Sequence, residues 1–583
     1  MNTLILQSSV YPDAVPGAAD ALYFSAGKTS YWNTTRKMWC IPAGDNISFD
    51  SFFNAFSLYK WRKHTELENL SFLAEVEGHG MVTLYLSQGL ETRIIAQKEA
   101  NSGVCTFNIN MSDLPNGRLY FHWQAICDSH IIRFTFSTQC GNTDERRLAI
   151  IIPTFNRPEE IQSAAQRINN DLLSNPSFQS RVVLYVVNNG DEITVPDSEN
   201  IVCIKNKNLG GAGGFTRGLI EVKRRGTEEF CLLMDDDASC EVESIRRAFA
   251  FLKLANTNEK MIAGAMLYAE KPGVVYEAGA LYPYRQLQMY PLKSDLDVTL
   301  PDGLSEFDED AQTPNYAAWW FCAFSVSVVR HYAFPFFVRG DDILFSIINR
   351  PDIVTLNGVC SWQKNFKSKY SAWVEYLSTR ALLLPAFLYP TLVKRLTIPL
   401  FVLIKVILLC FSYRYSCAEA VLEAYKHVLK GPTNWSEDPD ATKAKLLMSK
   451  IIAEEKKFIC HQVINRGFAV KLKVETLLHK VLRLLLLNGY LIPSVFLPQS
   501  KTIINSTEIH PTRYAFLKRD VIYFNEEKNS YCLHSRSARR AVILVLKTIL
   551  CISWGIVTFG YIAKNYKKEI NHLTSELYWK KYF

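Results

Sequence analysis

The sequence predicts an α/β protein, a Rossmann-like open sheet with a β-rich region before it and a mainly helical region after it. Short alternating segments occupy residues 1–145, and near-continuous apolar strands alternate with helices over 146–390. Long aliphatic runs with basic residues occupy 391–583. A chain of 583 residues exceeds one hydrophobic core, and at about 100–200 residues per domain three domains are expected.

The composition is that of a globular protein, with 48% hydrophobic and 21% charged residues. The net charge of +8 is a mild excess, and no zinc-finger or RNA-binding signature accompanies it, so nucleic acid is not an expected partner. The 14 cysteines form no C-x-x-C pair, and several lie in apolar runs, which indicates reduced thiols in a cytosolic protein. The first residues lack the basic start of a signal peptide, so secretion is not predicted.

The N-terminal region reads as strands. Segments such as MVTLYLSQ, RLYFHWQAI and HIIRFTFS alternate apolar and polar residues, and turn residues separate them, as at Leu114–Gly117. We expect an all-β, jelly-roll-like sandwich over 1–145 without a catalytic cluster. His122 and His130 are expected to be core or surface residues rather than ligands.

The middle region has the order β–α–β–β–α–β of an open α/β sheet. Its strands include LAIIIPTF, RVVLYVVNNG and EEFCLLM, and ligands of such sheets bind beyond the carboxyl ends of the strands. The polar residues at those ends are Thr154, Asn156, Asn188, Asn189 and Asp235–Asp237.

The run of three acids after FCLLM is the strongest chemical feature. Buried carboxylates need compensation, and their hard oxygens suit Mg²⁺ or Mn²⁺. In an extended segment Asp235 and Asp237 point one way and Asp236 the other, so the outer two can share a cation that neutralises a diphosphate. An acidic loop or a helix N-cap is the alternative, and the position after a buried strand favours the cation site.

Two weaker features lie at the same edge. Asn208 and the glycines that follow it, Gly210 and Gly211 among them, open a helix whose N-terminus can attract phosphate, or serve only backbone geometry. The run Pro153–Arg157 can contact base, ribose and phosphate, and Asn188–Asn189 can bond uracil, unless these residues cap helices.

The C-terminal region combines apolar runs with basic residues. Residues 398–411 are apolar except for Lys405, and 541–563 except for Lys547; a third segment, 470–492, repeats leucine at helical spacing. The basic residues of this third segment are Lys471, Lys473, Lys480 and Arg483. These patterns favour in-plane contact with an anionic membrane surface, or packing within a helical domain or homo-oligomer, over a true span.

The ordered motifs IIPTFNR, VVNNG, NLGGAGGF, LLMDDDA, AWWFCAFS and FVRGDDILFS resemble the inverting GT-A glycosyltransferases. Among these they are most similar to the bacterial galactofuranosyltransferases that polymerise galactofuranose from UDP-galactofuranose. The resemblance covers about residues 147–385, and the flanking β-sandwich and helical domain match that family's layout.

The resemblance implies roles for individual residues. Asp235 and Asp237 would bind the metal, Mn²⁺ or Mg²⁺; Asp342 would be the general base; and Trp319, Trp320 and Asp341 would bind the acceptor. The residues expected at the donor are Pro153, Thr154, Asn156, Arg157, Asn189, Asn208, Gly210, Gly211 and Asp236. Core packing is the alternative for the tryptophans, and a helix N-cap for Asp341–Asp342.

One position departs from the family pattern. The family carries Trp-His shortly after a Gly-Val strand, and that histidine completes the metal site, whereas here Gln363 follows Trp362. An amide oxygen is a harder and weaker ligand than imidazole, so the site is expected to bind metal more loosely, to use water, or to favour Mg²⁺.

These features lead to one expectation and two rivals. We expect an inverting transferase that adds galactofuranose to a growing surface glycan of O-antigen or galactan type, lipid-linked, working peripherally at the cytoplasmic face of the bacterial cell membrane. A different donor such as dTDP-rhamnose is one rival; a catalytically weak scaffold in a glycan-assembly complex is the other.

The acidic stretch 293–316 is expected to be a lid over the donor or a solvated loop.

Overall fold

The computed structural model describes most of the chain. The described residues are 2–12, 19–111, 114–141, 145–283, 287–365, 370–453, 456–459, 475–498, 502–508, 511–525 and 529–583. Lys471 and Lys473 of the predicted amphipathic segment lie outside them.

Two antiparallel sheets form the N-terminal region. The first has the order Tyr31–Asn33, Met38–Ile41, Ser129–Cys140, Leu70–Glu77, Gly103–Ile109, with Asn2–Ser8 also paired to Ser129–Cys140. The second has the order Ser25–Ala26, Asn46–Ser48, Arg118–Ala125, Gly80–Gln88, Glu91–Ala100. Strand Leu70–Glu77 alternates buried and half-buried residues, as a strand with one core face should. The buried rings of Phe49, Phe72, Phe121 and Phe134 pack against one another in the core.

Neither His122 nor His130 belongs to a group of three or more potential metal ligands among the described residues. His122 is half-buried beside Tyr85, and burial lowers its pKa. His130 lies 3.5 Å from the Glu77 carboxylate on a neighbouring strand.

A seven-stranded mixed sheet forms the centre of the chain. Its order is Ile201–Lys205, Val182–Asn188, Leu148–Thr154, Phe230–Met234, Phe321–Ser325, Lys260–Ala263, Asp352–Val354. The first four strands are parallel, and Phe321–Ser325 runs antiparallel to both neighbours. Strand Phe230–Met234 is buried along its whole length, as its apolar sequence predicts. A smaller sheet, in the order Lys271–Glu277, Ala265–Tyr268, Cys360–Gln363, stands beside the central one, and Ala280–Leu281 pairs with Tyr290–Pro291.

Helices cover the sheets and fill the C-terminal region. They are Leu58–His64, Pro158–Ile168, Pro176–Gln179, Gly210–Arg225, Val242–Leu254, Pro301–Asp308, Asp341–Asn349, Ala372–Leu388, Leu392–Phe411, Tyr415–Leu429, Thr433–Ser436, Thr442–Ala453, Leu477–Leu485, Thr512–Ala515, Ala538–Leu573 and Glu576–Trp579. The C-terminal region also holds a four-stranded sheet that the sequence did not predict. Its order is Lys456–Ile459, Ser530–Ser535, Asp520–Asn525, Thr502–Asn505.

The long helix Ala538–Leu573 is packed on one side only. Gly555 lies against Tyr425, so close that a Cβ there would be 2.0 Å from the tyrosine oxygen, and Arg395 donates to the Ile556 carbonyl at 2.9 Å. Within the described part of the chain this is the one helix whose length and apolar composition would allow it to cross a membrane.

The acidic stretch 293–316 is attached to the N-terminal region. Phe307 packs edge-on against Phe52 with ring centroids 5.1 Å apart, and Asp308 accepts a hydrogen bond from Ser57. Asp310 pairs with the buried Lys60 amine. The expectation of a solvated loop is therefore wrong for Phe307, Asp308 and Asp310, which are held by partners in the N-terminal region.

Candidate active site

Two neighbouring parallel strands end side by side and bring Asp236 into contact with Thr154 and Arg157. Leu148–Thr154 and Phe230–Met234 pair in register, so Thr154 and Asp236 leave the sheet at the same edge. Thr154 Oγ1 donates to Asp236 at 2.7 Å. Arg157 Nη1 donates to Asp236 at 2.8 Å and to Asp237 at 2.9 Å. Burial raises the pKa of Asp236, and the Arg157 charge opposes that rise.

Asp235 and Asp237 share a different neighbour. The Gln363 amide Nε2 donates to Asp235 Oδ2 and to Asp237 Oδ1, each at 3.2 Å. Strand Cys360–Gln363 is brought there by backbone bonds between Trp362 and Ser239. Burial and the adjacent Asp237 charge raise the pKa of Asp235 to about 7. Asp235 and Asp237 thus share Gln363, while Asp236 and Asp237 share Arg157. The segment is a turn, in which the Ala238 N–H donates to the Asp235 carbonyl at 3.3 Å, and the expected extended tail is wrong.

Oxygen atoms dominate this corner of the cleft. No group of three or more His, Cys, Asp or Glu side chains gathers as a metal site in the described part of the chain. Two carboxylates and an amide oxygen are nonetheless the donors that Mg²⁺ and Mn²⁺ accept. The Gln363 Oε1 atom is buried and has no hydrogen-bond partner among the described residues, so an oxygen is available beside the acid pair.

The glycine-rich turn allows close backbone approach. Gly210 has a φ of 70°, and a Cβ on it would lie 2.0 Å from the Phe337 carbonyl oxygen. Asn208 accepts from the Gly210 N–H at 3.0 Å and so orders the turn. A Cβ on Gly211 would lie 3.3 Å from Asp341 Oδ2. The start of helix Gly210–Arg225 therefore lies against the wall that carries Asp341.

The asparagines predicted at the donor mainly brace loops in this structure. Asn189 accepts from the Asn206 amide at 2.8 Å, and Asn188 closes a turn by accepting from the Gly190 N–H at 3.0 Å. Asn156 is exposed, with a φ of 52°, and accepts from the Asp191 N–H at 3.0 Å. Pro153 packs near Gly214, where a Cβ would be 2.7 Å away. Their contacts to a nucleotide stay a prediction.

The opposite wall begins at Gly340, whose φ of 92° turns the chain into helix Asp341–Asn349. Asp342 Oδ1 accepts the Ile343 N–H at 2.8 Å, so the acid also serves the start of its helix. Burial raises the pKa of Asp342 to about 6, while backbone N–H groups and Arg339 oppose the rise. The pKa of Asp341 is raised further, by burial and by the charges of Asp342 and Asp235.

Glu277 is a third acid of this wall, and sequence reasoning missed it. It ends strand Lys271–Glu277 with 5% of its surface exposed, and its Oε1 has no partner among the described residues. Burial, then the Asp342 charge, raises its pKa well above the usual range. The available signal was an acid at an inward position of the alternating segment KPGVVYE.

The two tryptophans differ in placement. Trp319 is 4% exposed and packs edge-on between Phe215 at 4.9 Å and Phe345 at 5.3 Å, which makes it a core residue. Trp320 is half-buried, donates from its indole to the Gly264 carbonyl at 3.0 Å, and lies 6.1 Å from the Tyr276 ring. Of the pair, Trp320 is the one beside the strand that carries Glu277.

Comparison with known proteins supports the resemblance seen in the motifs. Residues 10–135 match the family described as galactofuranosyltransferase 2 N-terminal. The galactofuranosyltransferase GlfT2 of Mycolicibacterium smegmatis is 24% identical over 398 residues, or 61% of this chain and 59% of the relative. GlfT2 of Mycobacterium tuberculosis is 24% identical over 405 residues, or 61% of this chain and 60% of that protein. The chain therefore spans about three fifths of the length of these relatives.

Partial overlaps with solved structures are also found. GalNAc-T7 with UDP, GalNAc and Mn²⁺ overlaps at a TM-score of 0.29 and 8% identity, covering 42% of this chain and 48% of that one. Glucosyl-3-phosphoglycerate synthase from Mycobacterium tuberculosis overlaps at a TM-score of 0.27 and 15% identity, covering 43% and 86%. These overlaps are too partial to bear on function. The N-terminal family match and the two GlfT2 relatives confirm that this chain is similar to galactofuranosyltransferases.

Proposed function

We propose that the protein is an inverting GT-A transferase that moves galactofuranose from UDP-galactofuranose onto a hydroxyl of a growing galactan-type or O-antigen glycan. The observation that carries the proposal is the pair of facing acid walls: Asp235 and Asp237 at a strand end, and Asp341 and Asp342 at a helix start. The two walls are close enough for the Asp235 charge to raise the pKa of Asp341.

The donor end of the cleft is built for a diphosphate. Asp235 and Asp237 would hold a divalent cation, which when bound neutralises the diphosphate and stabilises the departing UDP. Arg157 stands beside the same acids and can turn its guanidinium to phosphate oxygens. The N-terminus of the 16-residue helix Gly210–Arg225 adds a positive dipole end at close backbone approach.

The acceptor end supplies the proton acceptor. The acceptor hydroxyl oxygen forms a bond to the anomeric carbon on the face opposite UDP, the bond to UDP breaks, and Asp342 takes the hydroxyl proton. Asp341 and Glu277, both buried beside Asp342, are placed to bond other acceptor hydroxyls. Trp320, which packs edge-on against Tyr276, can contact an acceptor sugar on this side of the site. Trp319 packs against Phe215 in the core behind it.

A donor panel tests this proposal. Purified full-length protein, Mn²⁺ or Mg²⁺ and a short lipid-tailed galactofuranose acceptor are incubated with UDP-galactofuranose, UDP-galactopyranose or dTDP-rhamnose, and products are read by mass spectrometry. Growth of the acceptor with UDP-galactofuranose alone is expected. Extension by dTDP-rhamnose instead would contradict the donor assignment, and no transfer or donor hydrolysis with any donor would favour a scaffold.

We further propose that the protein works peripherally at the cytoplasmic face of the bacterial membrane, where its lipid-linked acceptor resides. Helix Leu392–Phe411 exposes four aliphatic residues at intervals of four, and the packed helix Ala538–Leu573 exposes a second apolar stripe. The exposed residues are Leu396, Leu400, Ile404, Leu408, Leu546, Leu550, Trp554 and Val557. Arg539 and Arg540 precede the second stripe and Lys567 and Lys568 follow it, which suits in-plane contact with anionic lipid.

Vesicle flotation tests the membrane proposal. Replacing Leu550, Trp554 and Val557 together by Gln should reduce recovery with phosphatidylglycerol vesicles, because the exposed apolar area is lost without disturbing the packed side of the helix. The matched control replaces Leu90, in a turn between two strands of the N-terminal region, and Val104, on a strand there, by Gln; both are similarly exposed, and flotation should be unchanged. Equal flotation of both variants and the parent would contradict the assignment.

A further inference from the structure

The amide of Gln363 lies between two carboxylates with its ends in opposite situations. Nε2 is 3.2 Å from Asp235 Oδ2 and 3.2 Å from Asp237 Oδ1, whereas Oε1 is buried and has no hydrogen-bond partner among the described residues. The side chain is almost wholly buried, with 4% of its surface exposed. A buried acceptor without a partner is unfavourable, and in this arrangement the two hydrogen bonds at the other end of the amide offset that cost.

The two ends of an amide have nearly the same shape but opposite hydrogen-bonding character. A half-turn about the terminal bond of Gln363 exchanges Nε2 and Oε1 without moving the rest of the side chain. Ionised carboxylates accept and do not donate, so without a cation the N–H end of the amide is the one that ionised Asp235 and Asp237 favour. A divalent cation between the two acids reverses that preference, because it needs oxygen donors and repels N–H groups.

We propose that Gln363 is a ligand of the catalytic cation through Oε1, and that its amide turns over when the cation binds. The proposal rests on the proposed function, since it uses the cation site of Asp235 and Asp237. Neighbouring oxygens around Mg²⁺ at 2.0–2.1 Å are about 3 Å apart in an octahedron. The 3.2 Å separations from the amide end to each carboxylate oxygen match that spacing.

The chemistry of this donor set differs from that of the related enzymes. Two carboxylates and one amide supply oxygen alone, whereas the family pattern places an imidazole nitrogen at this position. Imidazole favours transition metals, and oxygen donors suit Mg²⁺. This chain is therefore expected to discriminate less between Mn²⁺ and Mg²⁺ than a variant in which Gln363 is replaced by His.

A different role for the same residue is that of a strut, whose N–H group stays between the acids while a cation binds elsewhere. The two roles respond oppositely to Gln363→Glu. An oxygen ligand is retained and gains charge in that variant, so Mn²⁺ should bind at least as tightly. A strut would be replaced by a third repelling carboxylate, and a cation held elsewhere would gain no ligand from it.

Pulsed electron paramagnetic resonance of Mn²⁺ on the full-length protein, without sugar nucleotide, separates these cases. The parent should show bound Mn²⁺ without a directly coordinated ¹⁴N, and Gln363→His should add that nitrogen signal. Lys364→His, the exposed neighbour, is the matched control and should add none. Gln363→Leu should weaken Mn²⁺ binding about tenfold or more, with unchanged circular dichroism.

Each outcome has a defined meaning. A ¹⁴N signal in Gln363→His with tight binding in Gln363→Glu supports the ligand. Absence of ¹⁴N in Gln363→His, or weaker Mn²⁺ binding in Gln363→Glu, overturns it. Failure of the parent to bind Mn²⁺ also overturns it. Because no donor is present in this measurement, an error in the sugar assignment would appear only in the donor panel.

Discussion

Replacing Asp342 by Asn removes the proposed base while changing little else in the structure. In the parent, the Ile343 N–H donates to Asp342 Oδ1 at 2.8 Å, and the side-chain oxygen of Asn can accept the same hydrogen bond. The start of the helix should therefore be retained. A neutral amide cannot take the proton of the acceptor hydroxyl. General-base assistance supplies roughly 10²–10⁴-fold in rate, and turnover should fall by that order while UDP and metal affinity stay near normal.

The same substitution should stabilise the fold, and the structure fixes the sign. Burial raises the pKa of Asp342 from 3.8 to about 6, so the native carboxyl binds a proton over a range where the unfolded one does not. Native stability therefore falls as pH rises from about 4 to about 6 and stays lower above that range. Asp342→Asn removes this penalty at neutral pH and has nothing to remove below about pH 4, where the native carboxyl is already protonated.

Two measurements decide the matter. At saturating Mn²⁺, turnover of the parent should rise with pH as Asp342 ionises, and the residual turnover of Asp342→Asn should rise less steeply over the same range. The apparent thermal midpoint of the variant should exceed that of the parent at pH 7.5 and equal it at pH 4. Near-normal turnover in Asp342→Asn would refute the assignment and move the base to Asp341.

Three further predictions test other parts of the structure. Asp235→Ala or Asp237→Ala should abolish transfer and weaken UDP binding in calorimetry with Mn²⁺, and full activity of either variant under chelation would disprove the metal role. Gly210→Ala should destabilise the fold by about 1–3 kcal/mol or more in thermal melts, because its φ of 70° and the 2.0 Å approach to a carbonyl exclude a Cβ; Gly560→Ala, with nothing within 4 Å, should be neutral or stabilising. Asp310→Asn should lower the thermal midpoint, since removing one partner of a buried ion pair costs about 3–5 kcal/mol and leaves the Lys60 amine buried.

The central sheet and the first acid wall could be predicted because their signals are local. FCLLM is buried along its whole length, and the acids follow directly at its carboxyl end, although they form a turn and not the extended tail that the pattern predicted. The position of Thr154 beside Asp236 also follows from two parallel strands ending at one edge. Such features depend on neighbours within a few residues and on the general geometry of sheets.

The remaining features depend on partners far apart in the chain. Gln363 contacts acids more than 120 residues earlier, and Asp310 contacts an amine 250 residues earlier. Neither contact can therefore be predicted from a short stretch of neighbouring sequence. Trp319 and Trp320 are adjacent in sequence, yet one packs in the core and the other beside the cleft. In a short, continuously apolar segment, periodicity alone does not show which residue faces the core and which faces the site.

The proposed roles of the three acids at the acceptor end follow from the differences between their environments. Asp341, Asp342 and Glu277 are all deprived of water, which disfavours their charged forms. Backbone N–H groups oppose this at both Asp341 and Asp342, but the Arg339 guanidinium is among the opposing influences only at Asp342, whose pKa rises to about 6. Asp341 and Glu277 are raised further, and the Asp342 charge is one of the causes in each case. The Asp342 charge therefore favours the protonated forms of its two neighbours. We therefore expect Asp342, rather than Asp341, to receive the acceptor proton, with Asp341 and Glu277 placed to hydrogen-bond sugar hydroxyls.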